Sequence, residues 1–196
     1  MKIVLASHNA HKLKEIQEIL RGSPFEALSL DGFDGLPDDI PEDYDTFEGN
    51  ALQKARFVFD RIGLTCVADD SGIAVDALNG APGVHSKRYT PQATAPANNR
   101  KLLAELDGVT DRSARFVCVM AVVSAAGERI VRATCEGRIA LEPRGDGGFG
   151  YDPLFLPEDT PGKTMAELSA AEKNAISHRG RAFAQLPQTL ADLRLG

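Results

Sequence analysis

Two adjacent carboxylates follow a short apolar run: Leu64 to Ala68 leads into Asp69-Asp70-Ser71-Gly72. Side by side, such acids repel, so the pair calls for a cation or for a carboxyl with a raised pKa. Hard divalent cations take oxygen ligands, and Mg²⁺ in particular keeps its waters and leans on one or two carboxylates. The same residue types also build plain turns, so both readings are open on this stretch alone. If the apolar run is a buried strand, its end is where the acids leave the core and meet solvent.

Four further stretches carry residues suited to chemistry. Ser7-His8-Asn9-Ala10-His11-Lys12 lies between an apolar run and a helical pattern. There, unpaired backbone N–H groups and the helix dipole favour an anion, and Ser7, Asn9 and Lys12 add donors; simple capping by Ser or Asn is the alternative. No Walker A pattern is present. Glu48 and Lys54 share a helix but stand about 240° apart, too far round it for a local ion pair. Glu48 suits a first turn, where the helix dipole favours an acid, and reads as an exposed helix charge. Phe149, with glycines on both sides and Tyr151-Asp152-Pro153 after it, offers a ring that a planar base can stack on, or one tucked into the core. Last, Lys173, Ser177, His178 and Arg179 crowd seven positions; Ser177 falls four residues after Lys173, hence on the same face if the helix continues. A solvated helix also explains them. The remaining histidines show no metal-ligand spacing.

The elements that must position these groups mix strands and helices. Ile3 to Ala6 read as a buried strand, followed by a helix with Leu13, Ile16, Ile19 and Leu20 inward. Phe25 to Leu30 suggest a strand, and Asp31 to Asp45 a solvated acidic loop. Thr46 caps a second helix that Gly63 stops near Ile62. Ile73 to Val75 form a separate apolar run, Ala97 to Leu106 a helix, and Arg115–Val123 with Glu128–Cys135 an antiparallel hairpin. From Lys163 the chain reads as mostly helical, with Pro187 starting or kinking the last segment. The expected fold class is α/β: a mixed central sheet with helices on its faces, in a single domain over 1–196.

Composition narrows the classes. A net charge of -6 excludes a polymeric nucleic-acid partner, while a single nucleotide needs only a few local cations. Cys66, Cys118 and Cys135 sit in apolar runs and read as buried thiols in a reducing, cytoplasmic setting. The apolar stretch after Lys2 is too short for a signal peptide, and no run approaches the ~18 apolar residues of a membrane helix.

Taken in order, these segments resemble the inosine triphosphate pyrophosphatase family. The resemblance rests on Ser7 to Lys12, on Thr46-Phe47-Glu48-Gly49-Asn50-Ala51 through Lys54, and on Ala68 to Gly72. It continues with Gly80-Ala81-Pro82-Gly83, Ser86 and Arg88-Tyr89, with Gly147 to Pro153, and with Glu172-Lys173 and Ser177 to Gly180. Two departures are Ser7, where Thr is common, and His8, where Gly is common. The resemblance implies two lobes around a nucleotide-binding cleft, a homodimer, and Mg²⁺-dependent hydrolysis of ITP, dITP and XTP to monophosphate and pyrophosphate. Such house-cleaning removes these nucleotides before they enter nucleic acid. It further implies that Ser7, His8, Asn9, Ala10, His11, Lys12 and Lys54 meet the substrate and that Glu48 and Asp70 hold the metal. Asp70 would serve as general base with Asp69 supporting it, and Ser71 would contact substrate. Phe149, Gly150, Tyr151, Asp152, Lys173, Ser177, His178 and Arg179 would form the base pocket, with Arg179 or Lys173 donating to a 6-oxo group. A nucleotide phosphomonoesterase, a non-catalytic nucleotide sensor and a pyrophosphatase for modified pyrimidines are the rival classes; pyrophosphate release separates the first.

Overall fold

The structure, a computed structural model, describes residues 1–193 apart from Asp34 and Asp38. Those two members of the expected acidic loop lie outside the described residues. Six strands form one mixed sheet in the order β2-β1-β3-β4-β5-β6. They are β1 (Lys2–Leu5), β2 (Glu26–Leu28), β3 (Cys66–Val75), β4 (Ser113–Ser124), β5 (Gly127–Ile139) and β6 (Phe155–Pro157). The helices are α1 (Ala10–Ile19), α2 (Phe47–Ile62), α3 (Ala95–Glu105), α4 (Ala170–Ile176), α5 (His178–Phe183) and α6 (Leu186–Asp192).

The chain divides into two compact units: Met1–Asp70 with Cys118–Ala133 and Arg179–Gly196, and Ser71–Val117 with Thr134–His178. Strands β3, β4 and β5 each run from one unit into the other. In the first unit β1 pairs in parallel with β2 and with β3, Leu5 opposite Val67. Ile3, Leu5, Met120 and Val122 alternate along their strands to meet Ile16 of α1 and Phe183 and Leu186 near the C-terminus. In the second unit β5 and β6 are antiparallel, Arg138 opposite Leu156. Its core joins Ile73, Phe116 and Ile139 to Leu102 of α3 and to Phe155. β4 is buried from Phe116 through Val123, as befits a strand covered on both faces.

Helix α2 shows how local signals set an element. Thr46 Oγ1 accepts from the Gly49 amide at 3.1 Å, and Gly63 ends the helix at φ +70°, a left-handed position suited to glycine. Two of its inward residues are polar, Asn50 and Lys54, and both are buried.

One expectation fails at the acidic pair. β3 does not stop before Asp69-Asp70-Ser71-Gly72; it continues through them to Val75. Asp69 is 1% exposed and Asp70 6%, so the acids are interior residues of a strand, neither a turn nor a solvent-facing strand end. The reason is tertiary: cations distant in sequence neutralise them, as described next. Ser177 closes helix α4 as its C-cap. Helix α4 ends at Ile176, and Ser177 has extended backbone, its amide donating to Lys173 O at 2.8 Å. That bond spans one helical turn, as the four-residue spacing predicts, and the separate helix α5 opens at His178.

Candidate active site

In the first unit, the turn into α1 is organised by its own side chains. Ser7 Oγ accepts from the Asn9 amide at 3.2 Å, and Asn9 Oδ1 accepts from the amides of His11 and Lys12 at 3.0 and 3.2 Å. A phosphate oxygen arriving here would compete with Asn9 for donors already aimed at one point. His8 turns to the loop after β2: its Nε2 lies 3.2 Å from Pro37 O and its Nδ1 3.5 Å from Asp31. Ala10 and His11 are exposed. Lys12 reaches across to β3, its Nζ 3.0 Å from Asp69 Oδ2.

The two acids of β3 have different partners, as expected where successive side chains point to opposite faces. Asp69 meets Lys12 and Arg179 Nε, the latter at 3.4 Å. Asp70 accepts from Asn50 Nδ2 at 3.1 Å and lies 3.6 Å from Lys54 Nζ. Lys54 also meets Glu42 Oε1 at 2.6 Å, so Asp70 and Glu42 converge on one ammonium. Burial pushes the Asp70 carboxyl above its ordinary range, outweighing the lowering by Lys54 and Lys12. For Lys54, burial favours the neutral amine, but Asp70, Glu42 and Asp69 together reverse this and hold the ammonium above its usual value.

Glu48 sits in the first turn of α2. Its side chain, 39% exposed, pairs with Arg132 Nη1 of β5 at 2.6 Å. Glu42, in the acidic loop, stands beside Lys54. Asp70 and Glu42 already gather a positive charge, and two carboxylates suit Mg²⁺ when water and phosphate oxygens supply its other ligands. Among the described residues no cluster of three or more Asp, Glu, His or Cys could hold a metal by itself. A pair of carboxylates is an oxygen donor set of the kind Mg²⁺ takes.

Arg179 is 2% exposed and carries a short hydrogen bond from Nη1 to Glu15 Oε2. Burial alone would lower its pKa, but Asp69 and Glu15 raise it, so it stays charged.

In the second unit, Asp152 organises the glycine-rich loop. Its Oδ2 accepts from the Phe149 amide at 2.7 Å and from Lys173 Nζ at 2.8 Å. Gly148 has φ +70°, and a Cβ there would meet Asp152 Oδ2 at 2.1 Å, so glycine is required. Lys173 Nζ stands 4.9 Å from the Phe149 ring centroid, in cation–π range. Asn99 Nδ2 of α3 donates to Gly150 O at 3.1 Å. Tyr151 is buried, its hydroxyl donating to Ser86 O at 2.9 Å, while Ser86 Oγ accepts from the Ile73 amide. His178 stacks on Phe116, rings 4.8 Å apart and 12° from parallel. Ser177 is fully buried, and Ser71 half-buried on β3.

Sequence reasoning missed Glu42, Asn50, Glu15 and Asn99. Asn50 and Lys54 had a signal: they interrupt the apolar stripe of α2 four residues apart, which places two polar groups inward. Glu42 had none, because it is one acid among many in its loop.

The Ham1 family model matches residues 3–189. A dITP/XTP pyrophosphatase of Mycolicibacterium paratuberculosis is 49% identical over 196 residues, covering 97% of this chain and 96% of that one. Another from Geobacter sulfurreducens is 49% identical over 193 residues, with 96% of each chain covered. Among solved structures, a HAM1 protein from Coxiella burnetii superposes with a TM-score of 0.88 at 44% identity, covering 98% of this chain and 99% of its own. A nucleoside-triphosphatase, dITP/XTP pyrophosphatase of Mycobacterium abscessus, gives 0.76 at 46% identity, covering 95% and 98%. A match over nearly the whole sequence, shared with relatives close to half identical, leaves one conclusion: this protein belongs to the Ham1 family.

Proposed function

We propose that the chain hydrolyses ITP, dITP and XTP at the α–β anhydride, releasing the monophosphate and pyrophosphate. The observation that carries this reading is the buried Asp70 carboxylate held among Lys54, Asn50 and, through Lys54, Glu42. Such an acid can take a proton from water while the neighbouring cations meet phosphate charge.

The first unit is read for the triphosphate. Lys12 and Lys54 supply charge, and Ser7 and Asn9 shape the turn whose amides donate to phosphate oxygen. Asp70 and Glu42 would hold Mg²⁺, which when bound offsets phosphate charge and polarises the anhydride; Glu48, engaged by Arg132, is left outside that pair. Asp70 removes one proton from the attacking water, the oxygen bonds to the α-phosphorus, and pyrophosphate leaves.

The second unit is read for the base. The Phe149 ring is the stacking surface, and Lys173, fixed by Asp152, is the donor to a 6-oxo group. Adenine would set its amino donor against that ammonium, and an unpaired buried donor is expensive. The buried positions of Ser177, His178 and Tyr151 support a framing role for them behind the loop. Arg179, tied to Asp69 and Glu15, is read as acting through Asp69 and not on the base.

No helix among the described residues is long and apolar enough to cross a membrane, and a reducing cytoplasm suits three buried thiols. The homodimer implied by the resemblance belongs to the same reading and is checked by analytical ultracentrifugation.

The deciding experiment incubates the protein with ITP, dITP, XTP, GTP and ATP, with and without Mg²⁺, and assays pyrophosphate and orthophosphate separately. Pyrophosphate from the first three, with GTP and ATP slow, is expected. Orthophosphate as the first product would assign a phosphomonoesterase instead. Asp70→Asn should fold normally and lose about 10²–10⁴-fold of turnover.

A further inference from the structure

Helix α3 carries two adjacent buried asparagines, and their amides are used differently. Asn98 engages its whole amide. Its Oδ1 accepts from the Thr90 amide and hydroxyl at 3.0 and 2.8 Å, and its Nδ2 donates to Ser86 O and Lys87 O at 3.2 and 3.1 Å. Asn99, 9% exposed, makes one side-chain hydrogen bond among the described residues, from Nδ2 to Gly150 O. Its Oδ1 is buried and accepts from no described residue. A buried acceptor left unpaired costs at least as much as one neutral hydrogen bond contributes. Stability therefore accounts for Asn98 and not for Asn99.

The carbonyl that Asn99 holds comes directly after Phe149. Gly148 and Gly150 flank the ring with φ of +70° and +64°, so its direction depends on how these two left-handed positions are fixed. Within the turn, Asp152 accepts from the Phe149 amide, and the Asp152 amide donates to Phe149 O at 3.2 Å. Those bonds set the shape of the turn and travel with it. Its flanks are held by the Tyr151 hydroxyl on Ser86 O and by the Gly147 amide on Ala166 O, the latter at 3.0 Å. Asn99 adds a hold from α3 on the peptide next to the ring. Between that helix and the loop lies a cavity of about 440 Å³, with Pro96, Asn99 and Leu103 on one wall and Gly148 and Phe149 on the other. The loop has room to shift there, and the Asn99 bond sets where it stands.

We propose that Asn99 is a positioning residue for the purine: by holding Gly150 O it sets the Phe149 ring where the base stacks. This rests on the reading of Phe149 given above. The base is remote from the α–β anhydride, so stacking serves substrate and transition state alike. Misplacing the ring then raises KM and leaves kcat nearly untouched. A purely structural Asn99 would lower the unfolding midpoint when replaced and would not act on KM through Phe149.

The test measures kcat and KM for ITP, by pyrophosphate release with Mg²⁺, together with thermal unfolding. The variants are Asn99→Leu, Asn99→Ala, Phe149→Ala and the Asn99→Leu/Phe149→Ala pair. Asn99→Leu fills similar space and removes both the donor and the unpaired acceptor. Its unfolding midpoint is expected at or above that of the wild type, which sets the kinetic loss apart from a general loosening. Its KM should rise about three- to tenfold, the scale of one neutral hydrogen bond, with kcat within about twofold. Phe149→Ala should raise KM about tenfold or more. In the pair, KM should be no higher than in Phe149→Ala alone, because no ring is left to place. Unchanged KM in Asn99→Leu, a loss in kcat instead of KM, a lowered midpoint with both constants impaired, or multiplied KM effects in the pair would each overturn the proposal. If Asn99→Leu fails to unfold cooperatively, Asn99→Ala decides by the same KM criterion. Unchanged KM in Phe149→Ala would overturn the stacking reading and this inference together, as would absence of pyrophosphate release by the wild-type protein. A raised KM in Phe149→Ala with an unaffected Asn99→Leu overturns the inference alone.

Discussion

Asp152 and Lys173 form a buried ion pair, Nζ to Oδ2 at 2.8 Å, and the same oxygen receives the Phe149 amide at 2.7 Å. One carboxylate thereby sets both the ring proposed to stack on the base and the ammonium proposed to read its 6-oxo group. Asp152→Asn keeps the shape but removes the negative charge that Lys173 meets at 2.8 Å. Unfolding in urea should show a loss of about 3 kcal/mol, typical of breaking a buried pair from one side. KM for ITP should rise roughly ten- to a hundredfold, the worth of a hydrogen bond to a charged group. An unchanged KM alongside the stability loss would confine Asp152 to a structural role.

Gly148 is the covalent counterpart of that arrangement. Its φ of +70° and the 2.1 Å approach of Asp152 Oδ2 to a would-be Cβ leave no room for a side chain. Gly148→Ala must push Asp152 away from the Phe149 amide. Secondary structure by circular dichroism should be retained, because the loop lies outside the strands and helices, while KM rises at least as far as in Asp152→Asn. A Gly148→Ala protein with normal KM would mean that the loop finds another path to the same ring position.

The elements set by local chemistry were legible in the sequence. Thr46 and Gly63 bracket α2 because a hydroxyl cap and a left-handed glycine act within one turn of the helix. The β4–β5 hairpin followed from two β-rich runs and a short connection. The course of β3 through Asp69 and Asp70 was not legible: residues that favour turns continue a strand here because Lys12, Lys54 and Arg179 neutralise them, and those partners are tens of residues away. The break after Ile176 was not legible either: Ser177 keeps its one-turn bond to Lys173, then the chain takes extended backbone and starts α5 afresh. At the site, the residue types were visible and their partners were not; Glu42, which meets Lys54, was missed because loop geometry leaves no periodic trace.

Glu42 and Glu48 have different partners, and the proposed Mg²⁺ pair can be tested on that difference. Glu42 shares Lys54 with Asp70, whereas Glu48 pairs with Arg132 at a partly exposed position. Glu42→Gln should raise the Mg²⁺ concentration needed for half-maximal turnover about tenfold or more, since one of two carboxylates is lost. Glu48→Gln should leave the Mg²⁺ dependence within about twofold and cost little stability, as surface pairs do. The two titrations, run side by side, check the assignment; the reverse ranking would restore Glu48 as the ligand.

Arg56 holds Glu128 with two hydrogen bonds, Nε to Oε1 and Nη2 to Oε2, each 2.6 Å. The grip keeps the Glu128 carboxyl below its ordinary 4.5 in the folded protein. A depressed folded pKa means that unfolded chain binds the proton more readily, so the pair stabilises the fold above about pH 4.5 and the benefit disappears as pH falls through the folded value. Both side chains are partly exposed, which limits the effect to about 0.5 kcal/mol at low salt. Glu128→Gln should therefore lower Tm slightly at pH 7, by a margin that shrinks toward zero under acid and in about 1 M salt, where exposed charges are screened. A Tm difference that persists unchanged under both conditions would trace the loss to packing of the α2–β5 contact instead of to its charge.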